Sequence, residues 1–497
     1  MPIPFPHPDY SRTVLIPAYE DSELYLFDPM LAAHEAHALM LADCAIISHA
    51  NAAALLRAVA TIRSQGVQSL GYQAGIEDLF FRVEGRIIEL AGPDFGGNLQ
   101  LARSRNDLGH ALARMALRLL LLGLYADLLA LRQTVLEQAR THLDTIMPGY
   151  THTQPAQPIT FAHYLAGLLT ALGKDQDRVR RAYDNMNESP LGATALTGTG
   201  FPIDRERVAS LLGFDTVIAS TQHCIGASDH LTDAAAAIQS LAVQLSRVTH
   251  DLLVRATQEA GAIRIDDSFI QISSIMPQKR NPVVLEHLRA RLSRTLGYAQ
   301  TVVLQCHSIP YGDTQDIEDE IIPPLANAIA AARECTSLYT SVFATLALNR
   351  EHLRVQAGLG FTTATELADS LVREAALPFR QAHRVVATMV RQAVADGIGS
   401  DRLTLGRLQS AAAQVLGREL AFDEAQFRRA LDAQHFIEVR SGPGGVAPSS
   451  TAALLDDCAT VVQQDGAWLD ACHARLAAAA ASRRLAAERL LAAQAPL

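Results

Sequence analysis

Residues 108–146 read LGHALARMALRLLLLGLYADLLALRQTVLEQARTHLDTI, and the pattern closes at Pro148-Gly149. Leucine, alanine and methionine occupy several faces of the helix this spells, with Arg114, Arg118, Asp127 and Arg132 spaced between them. A helix apolar around most of its circumference has to be buried on more than one side. Similar stretches run over 161–187, 225–259, 283–307 and 324–347. At 1.5 Å per residue these are five helices of about 37 to 57 Å. One subunit could hardly cover so much apolar helix, so the pattern predicts an all-α protein whose central five-helix bundle continues into other copies.

Composition agrees with that class. The chain has 497 residues, 49% hydrophobic but only 5% aromatic, which favours helices over sheets. At about 150 residues per domain it is long enough for roughly three. The long-helix region divides it into an N-terminal helical domain (1–105), a central bundle (106–360) and a C-terminal helical domain (361–497), the last ending in an Ala/Arg/Leu helix from about Ala471 expected to be peripheral. A formal charge of −10 argues against a nucleic-acid groove. MPIPFPHPDYSR does not read as a signal peptide, and the most hydrophobic segment, residues 119–126, is too short to span a bilayer. Six scattered cysteines without a CxxC pair fit a reduced, cytoplasmic protein.

Several motifs fail on spacing. His34 and His37 are i, i+3 apart where a zinc helix needs i, i+4, and read as a surface pair. Gly198-Thr199-Gly200 is not a dinucleotide fingerprint, and neither a phosphate loop nor a GxSxG elbow is present. No metal and no cofactor are expected.

Four loops hold polar residues beyond what solvation requires. Arg103-Ser104-Arg105-Asn106-Asp107 opens the first long helix and suits either a carboxylate or a simple N-cap with exposed arginines. Residues 151–158, THTQPAQP, carry His152 on a proline-stiffened backbone, as an acid or base or as a structural histidine. SPLGATALTGTG (189–200) lets the backbone approach a ligand or pack a tight turn. The fourth is SSIMPQKRNP (273–282), followed by Glu286.

With this fourth loop the chain resembles the fumarase/aspartase superfamily, whose lyases release fumarate from succinyl-bearing substrates. RSRND, the THxQxAQP form of the histidine loop, Leu191-Gly192 with Asp204-Arg205-Glu206, and FRQAH at 379–383 are similar to its argininosuccinate lyase branch. The resemblance covers roughly residues 20–450. It implies an anti elimination in which a proton leaves the carbon beside a carboxylate and a C–N bond breaks. Ser273 would be the base, Lys279 and Asn281 would hold the aci-carboxylate, and His152 paired with Glu286 would serve the departing nitrogen. Ser104, Arg105, Asn106, Thr151, Ser274 and Met276 would bind substrate, with Tyr311 and Gln315 as further contacts. The partners implied are a small dicarboxylate or amino-acid substrate and a homotetramer in which three subunits share each site, with no nucleic acid or membrane.

The leaving-group side departs from that branch. Leu24 stands where a small polar residue is usual, Glu77-Asp78-Leu79-Phe80-Phe81 is apolar where a histidine is common, and Ile272 replaces a glycine. The usual lysine-bearing segment is shortened and acidic over 311–320, YGDTQDIEDE. A pocket changed on one side keeps its chemistry and changes the amine. The expected activity is therefore cleavage of an N-substituted aspartate in the manner of ethylenediaminedisuccinate (EDDS) lyase. Argininosuccinate cleavage is the alternative, and an inactive crystallin-like member the remote one.

Overall fold

The computed structural model describes residues 5–494. The first four residues of the segment read against a signal peptide, and the last three of the expected third domain, lie outside them. Near the N-terminus α1 (Phe27–Asp43), α2 (His49–Gln65) and α3 (Leu79–Ala91) bury leucine, alanine and methionine in one cluster. His34 and His37 do not lie on the surface as their spacing was read. They are 0% and 5% exposed, because α1 is covered on most of its faces, and His37 Nε2 bonds the Leu101 carbonyl at 2.9 Å. Burial, with Arg103 nearby, pushes the His37 pKa down to about 3, so both rings are neutral core residues.

The bundle follows. α4 (Arg105–Thr141) leads to a hairpin of β1 (Ile146–Thr151) and β2 (Gln154–Thr160), then α5 (Phe161–Met186) returns. α6 (Asp229–Arg255) runs up, and a short hairpin of β3 (Gln271–Ile272) and β4 (Arg280–Asn281) leads into α7 (Val283–Cys306) and α8 (Ile322–Thr345). The five expected helices are all present. The first stops at Thr141 rather than near 146, because Ile146 and the residues after it pair with 154–160 instead. α4 is also apolar over more than residues 119–126: it is long and apolar enough to cross a membrane, although 56% of its most apolar stretch is buried in the protein.

Direction within the bundle decides where the loops go. Arg114 on α4 donates to the Asn185 carbonyl at 2.7 Å, and Asn185 bonds Asp229 and Asp233 at the start of α6. Gln305 at the end of α7 reaches the Glu320 carbonyl just before α8. These contacts define one end. At the other, the Arg255 guanidinium lies over Tyr150 and Tyr164, and Ile263-Arg264 pairs with Ala347-Leu348 beyond α8.

A third cluster gathers α9 (Ala364–Ala375), α10 (Phe379–Ala395) and α11 (Leu405–Leu416). The residues after Ala471 are not a separate peripheral helix but the second half of α12 (Pro448–Ala493), 46 residues long. Its Trp468 packs on Tyr125 and Tyr183, its Asp465 accepts from Tyr125 and Arg132, and its Arg483 bonds Glu35 on α1. α12 therefore ties the bundle to the N-terminal cluster.

Arg132 and Asp465 are both nearly buried, so removing one leaves an uncompensated charge. Asp465→Ala is expected to cost about 3–5 kcal/mol in urea unfolding, and Arg132→Met with Asp465→Leu to recover most of it. A single variant as mild as the double one would remove the pair from this role.

Candidate active site

Asp107 organises the RSRND loop. Its Oδ1 accepts from the Ser104 N–H, and its Oδ2 accepts from the N–H groups of Gly192 and Thr194, both at 2.9 Å. One buried carboxylate so joins the first and third polar loops, and three main-chain donors satisfy it. Gly192 has φ +88°, and a Cβ there would meet the Arg205 side chain at 2.7 Å. The Arg205 guanidinium in turn holds the Leu191 and Ile218 carbonyls. The motif pair Leu191-Gly192 and Asp204-Arg205 is thus one packed unit.

The N-cap expected of RSRND is present, but the exposed arginines expected with it are not. Ser104 caps α4 in a capping box. Arg103 is buried, and Arg105 pairs with Asp78 at 3.1 Å and Glu77 at 3.3 Å while lying over the Phe81 ring. Asn106 accepts from the Ser104 hydroxyl. The same end of the bundle carries Tyr311, whose hydroxyl meets His223 Nδ1 at 3.2 Å, and Gln315, which donates to Glu318 at 3.3 Å.

The remaining candidates lie at the opposite end. Thr151 is exposed on β1, and His152 and Thr153 form the hairpin tip with φ +52° and +62°. A β-branched residue in that region is strained, and such turns hold functional side chains in place. Ser273 follows β3, and its Oγ accepts from the N–H groups of Met276 (3.1 Å) and Ile275 (3.4 Å). Ser274, Met276 and Lys279 are exposed on the same loop, with Ile275 83% exposed, while Asn281 on β4 is half-buried. Glu286 is exposed in the first turn of α7. Two N–H donors on one hydroxyl oxygen favour its charged form, which a serine acting as base requires.

One chain therefore brings Ser104, Arg105, Asn106, Tyr311 and Gln315 to one end and the other candidates to the far end. About 36 Å of α7 separates the ends at 1.5 Å per residue. Residues not singled out in the sequence are prominent at the Arg105 end. Asp78, Glu318 and Asp319 face Arg105 across a cleft, and His110, 3% exposed, points its Nε2 at Asp313 Oδ1, 3.4 Å away. Burial and the charge of Asp313 push Glu318 up to about 8, and burial with Asp78 pushes Asp319 up to about 6, Arg105 opposing both. In the sequence, Glu77-Asp78 and the acidic YGDTQDIEDE stretch pointed to the carboxylates, and nothing pointed to His110.

A family model described as lyase matches residues 22–297, and one described as argininosuccinate lyase C-terminal matches residues 361–438. The argininosuccinate lyase of Methanococcoides burtonii is 35% identical over 439 residues, 88% of this chain and 87% of that one. Argininosuccinate lyase 2 of Agrobacterium fabrum is 37% identical over 447 residues, 89% of this chain and 88% of its own length. A variant of EDDS lyase, solved with bound fumarate, superposes with a TM-score of 0.86 at 30% identity, over 98% of this chain and 96% of that one.

The raised Glu318 carboxyl has a consequence for stability. Folding favours its protonated form, an advantage fully present below the ordinary value of 4.5 and lost as pH rises through about 8. Glu318→Gln should therefore gain on the parent in urea midpoint between pH about 5 and about 8.5. A gap that stays constant across that window would mean that the carboxyl titrates normally.

Proposed function

Since the chain belongs to the argininosuccinate lyase branch of the fumarase/aspartase superfamily and is a fumarate-releasing carbon–nitrogen lyase, we propose that it cleaves an N-substituted aspartate by anti elimination at a site shared between subunits of a homotetramer. The observation carrying this is the Ser273 hydroxyl, held by the N–H groups of Ile275 and Met276 on a loop that also bears Lys279. Ser273 takes the proton from the carbon beside the carboxylate. Lys279 and Asn281 hold the aci-carboxylate charge that develops. His152, paired with Glu286 of another copy, serves the departing nitrogen. Ser104, Asn106, Thr151, Ser274 and Met276 grip the succinyl carboxylates. Arg105, already held by Asp78 and Glu77, borders the amine with Tyr311 and Gln315.

The separation of the two groups of residues supports the shared site, because no closure within one chain could span the bundle. Exposed apolar side chains on α6 and α7, Val243 and Leu296 among them, offer the face on which copies would associate. We place the reaction in the cytoplasm. For the amine, the sequence departures favoured an EDDS-like substrate, whereas the sequence relatives favour argininosuccinate, and we take argininosuccinate as the first substrate to assay.

Ser273→Ala is expected to abolish fumarate release, followed by ultraviolet absorbance, while leaving assembly intact. Mixing subunits of Ser273→Ala with subunits of Asn106→Ala, each inactive alone, should restore part of the activity, since hybrids contain sites with both residues intact. Turnover by Ser273→Ala would remove the base, and silent hybrids would remove the shared site.

A further inference from the structure

His152 and Thr153 form a two-residue turn between the paired residues Thr151 and Gln154. Both sit in left-handed backbone, and a conformation of that kind persists only where its surroundings over-determine it. The tip is exposed, and the bond from Thr153 Oγ1 to the His152 carbonyl stays within the turn. What holds the tip acts on the strands below it. The bundle contributes Arg255 of α6, whose guanidinium lies over Tyr150. A second hold comes from the chain beyond residue 350.

Ile146 of β1, with Ile159 of β2 against it, packs on Ala357, Phe436, Ile437 and Val446. Gln157 of β2 donates to the Thr365 hydroxyl at 3.1 Å. Both contacts lead to one carboxylate. Glu366, next to Thr365 in α9 and fully buried, accepts from Arg440 at 2.8 Å, from Ser370 at 3.1 Å and from Arg373. The Arg440 guanidinium also donates to the Phe436 carbonyl at 2.7 Å and lies over the Phe436 ring, 3.4 Å from its centroid. The chain then folds back on Arg440. The Ala447 N–H donates to its carbonyl, and a Cβ at Gly445 would come within 2.1 Å of the same oxygen. Through one guanidinium, Glu366 so fixes the helix Ala433–Glu438, whose Phe436 and Ile437 carry the hairpin. A buried ion pair often adds little stability over apolar packing of equal volume, whereas its directed hydrogen bonds hold one arrangement among several.

We propose that Glu366 is a positioning residue for the elimination: through Arg440 and Thr365 it holds both strands of the hairpin, and so sets His152 for its exchange of a proton with substrate. This rests on the lyase reading above, in which His152 serves the departing nitrogen. Glu366 itself is buried and acts only through the hairpin.

A double-mutant cycle on the full-length enzyme tests it, read as fumarate release from argininosuccinate, or from EDDS if that is the substrate turned over. Glu366→Gln keeps the volume and removes the charge. It should lower kcat by about ten- to a hundredfold, the loss expected when a catalytic group is misplaced by about 1 Å, with KM within about twofold. His152→Ala alone should be slower by about a hundredfold or more. In that background Glu366→Gln should cost less than about twofold further, since the group it positions is already gone. A carboxylate that only stabilises the fold would lower activity by the same factor in both backgrounds, and that result overturns the proposal. Thr365→Val removes the bond to Gln157 without touching the ion pair. It should slow kcat by about threefold at an unchanged melting temperature, and it takes the place of Glu366→Gln in the cycle if that variant does not fold. Hydrogen exchange on the same variants needs no substrate. The amides paired between β1 and β2 should exchange faster in Glu366→Gln by about tenfold, while those within α6 keep their rate. Unchanged exchange in the hairpin overturns the proposal. Faster exchange beside full activity of His152→Ala would support the hold on the hairpin and overturn the part given to His152 instead.

Discussion

The length of the central helices governs everything else in this molecule. Each of the five crosses the whole bundle, so a loop belongs to one end or the other and cannot serve both. The chain alternates direction at every helix, and the polar residues sort accordingly. Residues able to hold a carboxylate and border an amine gather where α4 begins, and residues able to move a proton gather where α7 begins. On the proposed shared site, catalysis is a property of the assembly, and stability and activity are linked through the concentration of subunits.

Within the bundle, a few buried guanidiniums do what apolar packing cannot. Arg114 holds the Asn185 and Met186 carbonyls at the end of α5, and Arg118 holds the Leu212 carbonyl and the Asn187 side chain. Burial lowers both to about 10, yet both stay charged at neutral pH. A helix end buried in protein needs its last carbonyls satisfied, and a long forked donor reaches several from one position. The arginines that interrupt the apolar sequence of α4 are thus the fastenings of its neighbours rather than breaks in its own pattern.

Much of this was legible beforehand. Apolar periodicity located the five helices because burial on several sides leaves little room for polar residues, and the SSIMPQKRNP loop stood out because packing gives no reason for it. Other features lay outside that logic. Residues 151–158 read as a proline-stiffened loop and Pro148 as a helix stop, but Pro148 and Pro158 face one another in a two-stranded ribbon, where a missing N–H is tolerated. Spacing could not show that His34 and His37 were buried, since the faces covering α1 come from distant segments. Of α12 only the part after about Ala471 was read as a helix, and its hold on the bundle was not legible because that hold depends on single side chains such as Trp468 and Arg483. The cleft carboxylates stood in stretches that the sequence marked as unusual, but nothing local records that Asp78, Glu318 and Asp319 meet beside Arg105.

The tip of the β1–β2 hairpin carries a different lesson. His152 and Thr153 both adopt the left-handed backbone that Asn-Gly would occupy with less strain. As a fold, the chain would be better served by that replacement. A search for thermostability alone would therefore begin by replacing His152, the residue for which a part in the reaction is proposed.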